Sequence, residues 1–529
     1  MKHDLRRKTR QVAGGHVTDP PAEDIYSTVA PPEGVYNVFF IAEDNDLDIW
    51  GGDVGNAYLN GTTREKVYCI LGPEYGPELV GRVALVVKSF YGLKTSCARW
   101  NEHIGDNLRK WGWFRSKAFN DVWMRDLGET YEYLAIYSDD IIVASKEPAK
   151  VFEEFKEVYT LKGIGPPEHF LGAAIGRVKG PLNKKGSTST LSAKTSLQNT
   201  IPKFEKLFGE PFRSYTVPMS PDYHPELDES PLVNADDHSK YRSLLGSGQW
   251  AITLGRIDIQ YATTMLARFS MSPREGHLIA LKKMWGYLKG HMKGRILFDT
   301  RPLDVGEVEY FEGSNWRQIY GDDLKEDLPP DMPEAKMKPV QITIYFDASH
   351  GNDMVTRKSV TGILVFVNGS LVRSYCKKQN TVEASTYGAE LMAGRIATEM
   401  AVEYRYYYRM LGIPIDGPVR LLGDNKGMIQ TCARMSAQLK KKHHAISYHI
   451  VREQAAIGTI LPGHIGTQHN LADINTKQLN GPQTHSKNQQ LIFRSVDSGE
   501  CKGLNPITKE TCETKSDQRT VKTTVRSLT

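Results

Sequence analysis

A fold of the mixed class, α+β or mixed α/β, is predicted by three features of the sequence. Strand-like segments, either alternating or short and apolar, interleave with helix-period segments through most of the 529 residues. A stretch of largely helical periodicity, residues 201–300, separates two strand-bearing regions. Between the apolar runs TGILVFV and SLVRSYC stands Asn368-Gly369, the two-residue signature of a β-hairpin. At roughly 100–200 residues per domain, the length points to three or four domains.

Composition narrows the class. Hydrophobic residues make up 40% and charged residues 24%, as in soluble globular proteins. The net charge of +5 says little, but the basic residues cluster. Lys2, Arg6, Arg7, Lys8 and Arg10 crowd the first sixteen residues, and Lys440-Lys-Lys runs into His443 and His444. Such patches suit a polyanion better than a small neutral ligand. Six cysteines lie scattered with no CxxC pair, which excludes zinc-knuckle spacing and fits a reducing compartment. No signal-peptide pattern and no apolar run of the ~18 residues that span a bilayer is present, so a soluble intracellular protein without a membrane partner is expected.

Composition shifts divide the chain. Residues 179–200 are rich in Lys, Ser, Thr and Gly; residues 321–340 hold four prolines and many acids and read as a linker; after about 485 apolar periodicity fades. The predicted units are 1–180, a helical region 181–320, the linker 321–340, a second strand-bearing unit 341–485, and a disordered polar tail 486–529. Because few contacts are expected to cross the linker, residues 338–485 are predicted to fold alone.

Two sets of carboxylates stand out. In YEYLAIYSDDIIVAS, residues 131–145, apolar runs flank Asp139 and Asp140, as in a hairpin with two acids at its tip. A polar turn is the plain alternative, since Asp is common in turns. Residues 47–61, LDIWGGDVGNAYLNG, put Asp53 at the end of a short apolar stretch. Three converging carboxylates suit a pair of Mg²⁺ ions, which take oxygen ligands and share them with substrate phosphates.

At this point the segments resemble a family. DVGNAYLNG and YSDD are similar to the catalytic motifs of reverse transcriptases. SFYGLKTSCARWNE (89–102), FLGAAIG (170–176), YRSLLGSGQW (241–250) and RIDIQYAT (256–263) resemble the copia-type retrotransposon polyproteins in order and spacing. The resemblance implies a polymerase palm-and-fingers domain over 1–180 and a thumb- or connection-like region over 181–320. It assigns metal holding to Asp53, Asp139 and Asp140, and exclusion of a 2′-hydroxyl to Tyr58. It assigns substrate contact to Tyr91, Gly92, Lys94, Lys8 and Arg10, and the primer grip to Phe170, Leu171 and Gly172. Lys8 and Arg10 lie in RRKTRQVAGGH, similar to the family's finger segment. Ser138 and Gln11 depart from the apolar residues usual there. The chain opens close to that segment, so part of the fingers is expected to lie outside it.

The second set follows the linker. QITIYFDAS ends a strand at Asp347; Glu390 lies early in a long helical stretch; VRLLGDNKG ends a strand at Asp424; GHIGTQHNLADINTK carries His464 and Asp473. Taken singly, each acid is equally well a cap or a surface residue. In order, after a strand–hairpin–helix pattern, they resemble ribonuclease H, and KSVTGILVFV, ASTYGAELMA, LLGDNKG and NLADINTK match its copia-type version. The resemblance implies that Asp347, Glu390, Asp424 and Asp473 hold two metals and that His464 assists proton transfer or product release.

The expected function is therefore an RNA-directed DNA polymerase linked to a ribonuclease H. Two Mg²⁺ per site are implied, with Mn²⁺ as a substitute. The implied partners are an RNA template, a DNA primer, deoxynucleoside triphosphates and an RNA–DNA hybrid; the oligomeric state is left open. The implied location is cytoplasmic, within virus-like particles, with access to the nucleus. The competing reading is a decayed or co-opted, non-catalytic nucleic-acid-binding remnant. No protease, integrase or zinc-knuckle segment is found, so a portion of a longer polyprotein is expected.

Overall fold

The structure is a computed structural model. It describes residues 12–23, 25–180, 186–311, 316–321, 324–437, 439 and 442–494. Lys8, Arg10 and Gln11 lie outside the described residues.

The first unit is a sheet buried on both faces. Helix α1 (Pro32–Asp44) starts on Pro32, whose missing N–H is one that a first turn leaves unbonded anyway. Strand β1 (Asp48–Val54) follows. Next come β2 (Thr62–Ile70) and β3 (Val83–Lys88), which pair as a separate ribbon. Helix α2 (Ser96–Lys110) leads to β4 (Phe114–Arg115), β5 (Val122–Asp126), β6 (Tyr131–Tyr137) and β7 (Asp140–Ser145). Helix α3 (Pro148–Lys156) and β8 (Leu161–Gly165) close the sheet, in the order β4-β5-β6-β7-β1-β8. Side chains alternate between faces with the period of two that a strand imposes. Trp123, Leu134, Ile136, Ile141 and Val143 pack with α2 and α3, while Val122, Met124, Tyr133, Ala135 and Ile142 face the α1 side. That is why YLAIY and IIVAS read as nearly unbroken apolar runs.

A small four-stranded sheet, β12-β11-β10-β9, joins β9 (His169–Phe170), β10 (Ala173–Lys179) and β11 (Ser187–Ser192) to β12 (Ile296–Leu297). Between β11 and β12 lie α4 (Lys194–Phe208), α5 (Ala235–Thr253), α6 (Gln260–Ala267) and α7 (Glu275–Gly290). The helical expectation for this stretch fits those four helices. It missed the strands, and β10 pairs with β11 across the expected boundary at 180.

The third unit begins earlier than expected. Strand β13 (Glu309–Tyr310) precedes the short α8 (Arg317–Tyr320). Then come β14 (Ile342–Ser349), β15 (Val360–Val367), β16 (Ser370–Lys378), α9 (Thr386–Met410) and β17 (Val419–Gly423). Helices α10 (Lys426–Ala433) and α11 (Ala445–Ile457), strand β18 (Ile460–His464) and α12 (Gly481–Leu491) complete it. The order is β13-β18-β17-β14-β15-β16, with β14, β15 and β16 antiparallel and β17 and β18 parallel to the first. Asn368 turns the β15–β16 hairpin at φ +47°, as the Asn-Gly pair predicts.

Three corrections concern boundaries. Strand β13, from the region assigned to the helical unit, is an edge strand of this sheet. Helix α12 runs into the segment expected to be disordered, because Leu491 and Ile492 bury themselves in the core beside Leu303 and Leu479. The stretch 321–340 has no helix or strand among its described residues, yet it is packed. Glu326 bonds the guanidinium groups of Arg405 and Arg409, and Met337 and Val340 are buried. Contacts also cross between units: the Tyr133 hydroxyl donates to Leu411 O at 2.7 Å, and that of Tyr408 to Asn37 Oδ1 at 2.6 Å. Among the described residues, no helix is long and apolar enough to cross a membrane.

Candidate active sites

The first acids meet at the end of the β6–β7 hairpin. In the antiparallel register of β1 and β7, Asp53 stands directly opposite Asp140. Asp139 lies in the turn before β7, its carbonyl accepting from Val54 N at 2.8 Å. Ser138 takes the left-handed conformation (φ +59°) there. A small polar residue accepts this more readily than the bulky apolar one usual at the position. All three acids are half-buried. Burial first, then the charges of Asp139 and Asp53, push the Asp140 carboxyl up to about 6.

The signature segment braces this turn. Trp100, on α2, donates its indole N–H to Ser138 O at 2.7 Å. Tyr58, in a 3-10 turn after β1, places its hydroxyl 3.4 Å from Ser138 Oγ and packs edge-on against Tyr91, centroids 4.9 Å apart. Tyr58 therefore stands beside the paired acids. Gly92 brings that segment against residues 12–15. A Cβ at Gly92 would lie 2.1 Å from Ala13 O, and one at Gly15 would lie 1.9 Å from Gly92 O, so both glycines are required. Lys94 does not point free, because its ammonium donates to Thr18 O at 2.7 Å. Phe170 is buried, and Leu171 and Gly172, both at positive φ, form the turn between β9 and β10.

The second acids converge more tightly. Asp347, Asp424 and Asp473 each offer an oxygen, all within 4.8 Å of one another. Asp347 comes from β14 at the heart of the sheet and Asp424 from the end of its parallel neighbour β17. Asp473 sits in a short 3-10 helix, Leu471–Asn475. Glu390, near the start of α9, is buried, and its Oε2 has no hydrogen-bond partner. Burial, then Asp347 and Asp424, hold its carboxyl far above the ordinary range. Burial likewise pushes Asp347 up to about 7, helped by Asp473 and Asp424 and opposed by Lys477. Four carboxylates, an unbonded buried oxygen and mutual repulsion are what a divalent cation would relieve. The residues fit such an ion. His464 ends β18 beside Gly423, its Nδ1 3.7 Å from Glu309 Oε2, outside the convergent acid group.

Sequence reading missed the cations here. Lys477 Nζ lies 2.6 Å from Asp473 Oδ1 and 3.8 Å from Asp347 Oδ2, and Lys487 Nζ 3.1 Å from Asp473 Oδ2. Burial works against the charge of Lys477, yet Asp347 and Asp473 outweigh it and hold its pKa up. For Lys487 burial wins and lowers it. The i,i+4 spacing of Asp473 and Lys477 was the available signal. Lys487, in the segment read as disordered, gave none.

A sheet with a two-acid hairpin, followed by a second sheet with four acids near its centre, is the arrangement that the resemblance to reverse transcriptases and ribonucleases H implies. Comparison with known proteins agrees. Residues 1–199 match the family described as reverse transcriptase (RNA-dependent DNA polymerase). The chain is 26% identical over 483 residues to the retrovirus-related Pol polyprotein from transposon RE1 of Arabidopsis thaliana, covering 90% of this chain and 29% of that one. It is 24% identical over 468 residues to the corresponding polyprotein from transposon TNT 1-94 of Nicotiana tabacum, covering 86% and 32%. Over most of its length this chain is thus similar to copia-type retrotransposon polyproteins, with the reverse transcriptase match confined to residues 1–199. It spans about a third or less of the length of these relatives. Among solved structures it is similar to a foamy viral protease-reverse transcriptase in complex with RNA/DNA hybrid. That match has 11% identity and TM-score 0.26, over 85% of this chain and 69% of that one. It is also similar to the N-terminal ribonuclease H domain of a Mycobacterium tuberculosis protein, with 12% identity and TM-score 0.21 over 28% and 97%.

Proposed function

We propose that this chain copies RNA and DNA templates into DNA at the β6–β7 hairpin and cleaves the RNA strand of RNA–DNA hybrids at the second sheet. The observation that carries the reading is the presence, in one chain, of two separate carboxylate groups at the ends of adjacent strands. One pairs Asp53 with Asp140, and the other gathers Asp347, Asp424 and Asp473 within 4.8 Å. Mg²⁺ or Mn²⁺ ions, two per site, would supply charge neutralisation and activation of the attacking oxygen. Asp53, Asp139 and Asp140 would hold them in the first site, with Asp347, Glu390, Asp424 and Asp473 in the second.

The remaining steps belong to the chain's own side chains. Tyr58 would sit under the sugar of an incoming deoxynucleoside triphosphate and exclude a 2′-hydroxyl. Tyr91 and Gly92 would shape the floor of that site, and Lys94 would reach substrate only after leaving Thr18 O. Phe170, Leu171 and Gly172 would hold the primer end, and Lys8 and Arg10 would meet the triphosphate. His464 would move a proton or assist release beside the second site, being a group that exchanges protons near neutral pH. Lysine and arginine contacts to phosphate would supply most affinity for template and primer and make it salt-dependent. A cytoplasmic, particle-associated location with nuclear access goes with this reading.

The test uses the purified chain with Mg²⁺ on a homopolymer template–primer and, side by side, on a hybrid with labelled RNA. Deoxynucleotide incorporation and RNA cleavage are expected. A folded chain that binds hybrid but does neither would establish the non-catalytic remnant instead.

A further inference from the structure

Beyond the acids of the second sheet, one other group among the described residues brings three metal-ligating side chains together. Glu383, His443 and His444 each offer one ligand atom, all within 4.8 Å of one another. They come from two places in the chain. Glu383 lies just before α9, whose N-cap is Ser385. His443 and His444 belong to the 3-10 turn Lys442–His444 that enters α11.

The surroundings prepare the group. The Glu383 and His444 side chains are only 7% and 2% exposed, and Oε2 of one lies 3.5 Å from Nε2 of the other. The other carboxylate oxygen, Oε1, accepts from Thr381 Oγ1 at 3.1 Å, which orients the carboxylate. The His443 ring, on the solvent side, lies 4.0 Å from that of His444. Residue 388 must be glycine for this arrangement. A Cβ there would stand 2.7 Å from Glu383 Oε2 and 2.9 Å from His444 Cε1.

We propose that Glu383, His443 and His444 form a zinc site that ties the start of α9 to the start of α11. Two imidazoles with one carboxylate select zinc over magnesium, which prefers an all-oxygen shell. Tetrahedral ligands about 2.0–2.2 Å from zinc stand roughly 3.4 Å apart, so the 3.5 Å pair is already at that spacing. Only His443, the exposed member, needs to swing inward, and a water completes the shell. The hydrogen bond from Thr381 is the kind of outer contact that fixes a ligating carboxylate. Zinc here would pin the end of α9 that carries Glu390, away from the acids themselves.

The full chain is stripped with chelator, kept in excess Mg²⁺ so that oxygen-rich sites are satisfied, and titrated with Zn²⁺ by calorimetry. Co²⁺ replaces Zn²⁺ in a parallel absorption titration. The expected result is one zinc per chain, a tetrahedral cobalt spectrum in the visible, and a zinc-dependent rise in the thermal midpoint. Glu383→Gln and His443→Ala should each weaken zinc binding more than about tenfold. His443 is exposed, so its variant keeps the fold, verified by circular dichroism. Asp424→Asn should bind zinc as the natural chain does. No zinc uptake in excess Mg²⁺ overturns the proposal. So does wild-type affinity in His443→Ala, which would leave Glu383 and His444 a buried pair. Loss of zinc in Asp424→Asn overturns it as well, by moving the binding to the acids.

Discussion

The palm hairpin and the second sheet hold their carboxylates in different surroundings. Asp53, Asp139 and Asp140 are half-buried, and among the described residues none of them makes an ion pair. Asp347, Glu390 and Asp473 are nearly enclosed, and two lysines from one short stretch of chain reach them. Water can screen three acids at an open strand end, whereas enclosed acids need fixed positive charge or must give up ionisation. The second site is therefore the more strained electrostatically, and it should respond more sharply to pH and to divalent ions.

The largest effect expected is loss of each chemistry separately. Asp139→Asn should lower deoxynucleotide incorporation by at least ~10³-fold, and Asp424→Asn should do the same to hybrid cleavage, by the scale of losing one charge-stabilising group. Each variant should leave the other activity within about twofold. Both are assayed on a primed template and a labelled hybrid in one preparation. Loss of both activities in either variant, with the fold intact, would show that the two sites are coupled and break the comparison.

A smaller effect tests where the second unit ends. The sequence assigned it residues 341–485 and a foldable piece 338–485. Strand β13 lies outside that piece, as do Leu491 and Ile492, which pack in its core. Either piece exposes Tyr404, Tyr408 and Leu411, which face α1 and β6 in the whole chain, so that exposure cancels between them. Residues 302–494 should therefore be more stable to urea than 338–485 by about 3 kcal/mol, the scale of removing a buried aliphatic side chain. Equal midpoints would restore the shorter boundary.

Stability should then report the crowding of the enclosed acids directly. The folded-state pKa of Asp347 is raised to about 7. Its contribution is fully present when the group is protonated in both states. It is lost as pH rises from the ordinary carboxylate range through 7. At pH 8, in chelator, Asp347→Asn should thus raise the unfolding free energy by about 1–3 kcal/mol. Saturating Mg²⁺ should cancel or reverse the gain. A variant less stable than the natural chain in chelator would mean that Lys477 already balances the site.

The same contrast sets the order of two acid limbs. Asp140 is pushed up to about 6 and Asp347 to about 7. At one fixed, subsaturating Mg²⁺ concentration, falling pH should protonate the second site first. Hybrid cleavage should therefore fail about one pH unit above incorporation. Coincident limbs, or the reverse order, would remove the distinction.

Much of this was legible in the sequence because it is local. Asp139 and Asp140 sit between apolar runs whose pairing partner is adjacent, and Asn368-Gly369 carries its own turn preference. The acids of the second sheet were legible as strand ends. What escaped depends on contacts distant in sequence. A two-residue edge strand such as β13 has no periodicity to read, and Glu326 looks like any linker acid until Arg405 and Arg409 close on it. Glu383 and His444 are 61 positions apart in the chain, and only the packing of α9 on α11 brings them together.

The smallest effect concerns the brace behind the open site. Trp100 is almost fully buried, and its indole N–H donates to Ser138 O, the carbonyl of the residue that turns the hairpin. Its ring also packs edge-on against Tyr159, centroids 5.6 Å apart, so most of its contact is apolar. Trp100→Phe keeps an aromatic there and removes the donor. The lost hydrogen bond should cost about 1 kcal/mol of stability. More informative is where the kinetic loss falls. Ser138 precedes Asp139 directly, so a loosened carbonyl lets the acid wander by a fraction of an ångström. That should lower kcat for incorporation by a few-fold while KM for the nucleotide stays near its natural value, since Tyr58 and Tyr91 are untouched. Hybrid cleavage in the same preparation should be unchanged, because Trp100 packs in a core cluster whose buried residues all lie between Val54 and Tyr159. A variant that loses stability but keeps kcat would make Trp100 a packing residue only. One that loses both activities equally would show that the hairpin turn transmits strain to the second sheet through Tyr133 and Leu411.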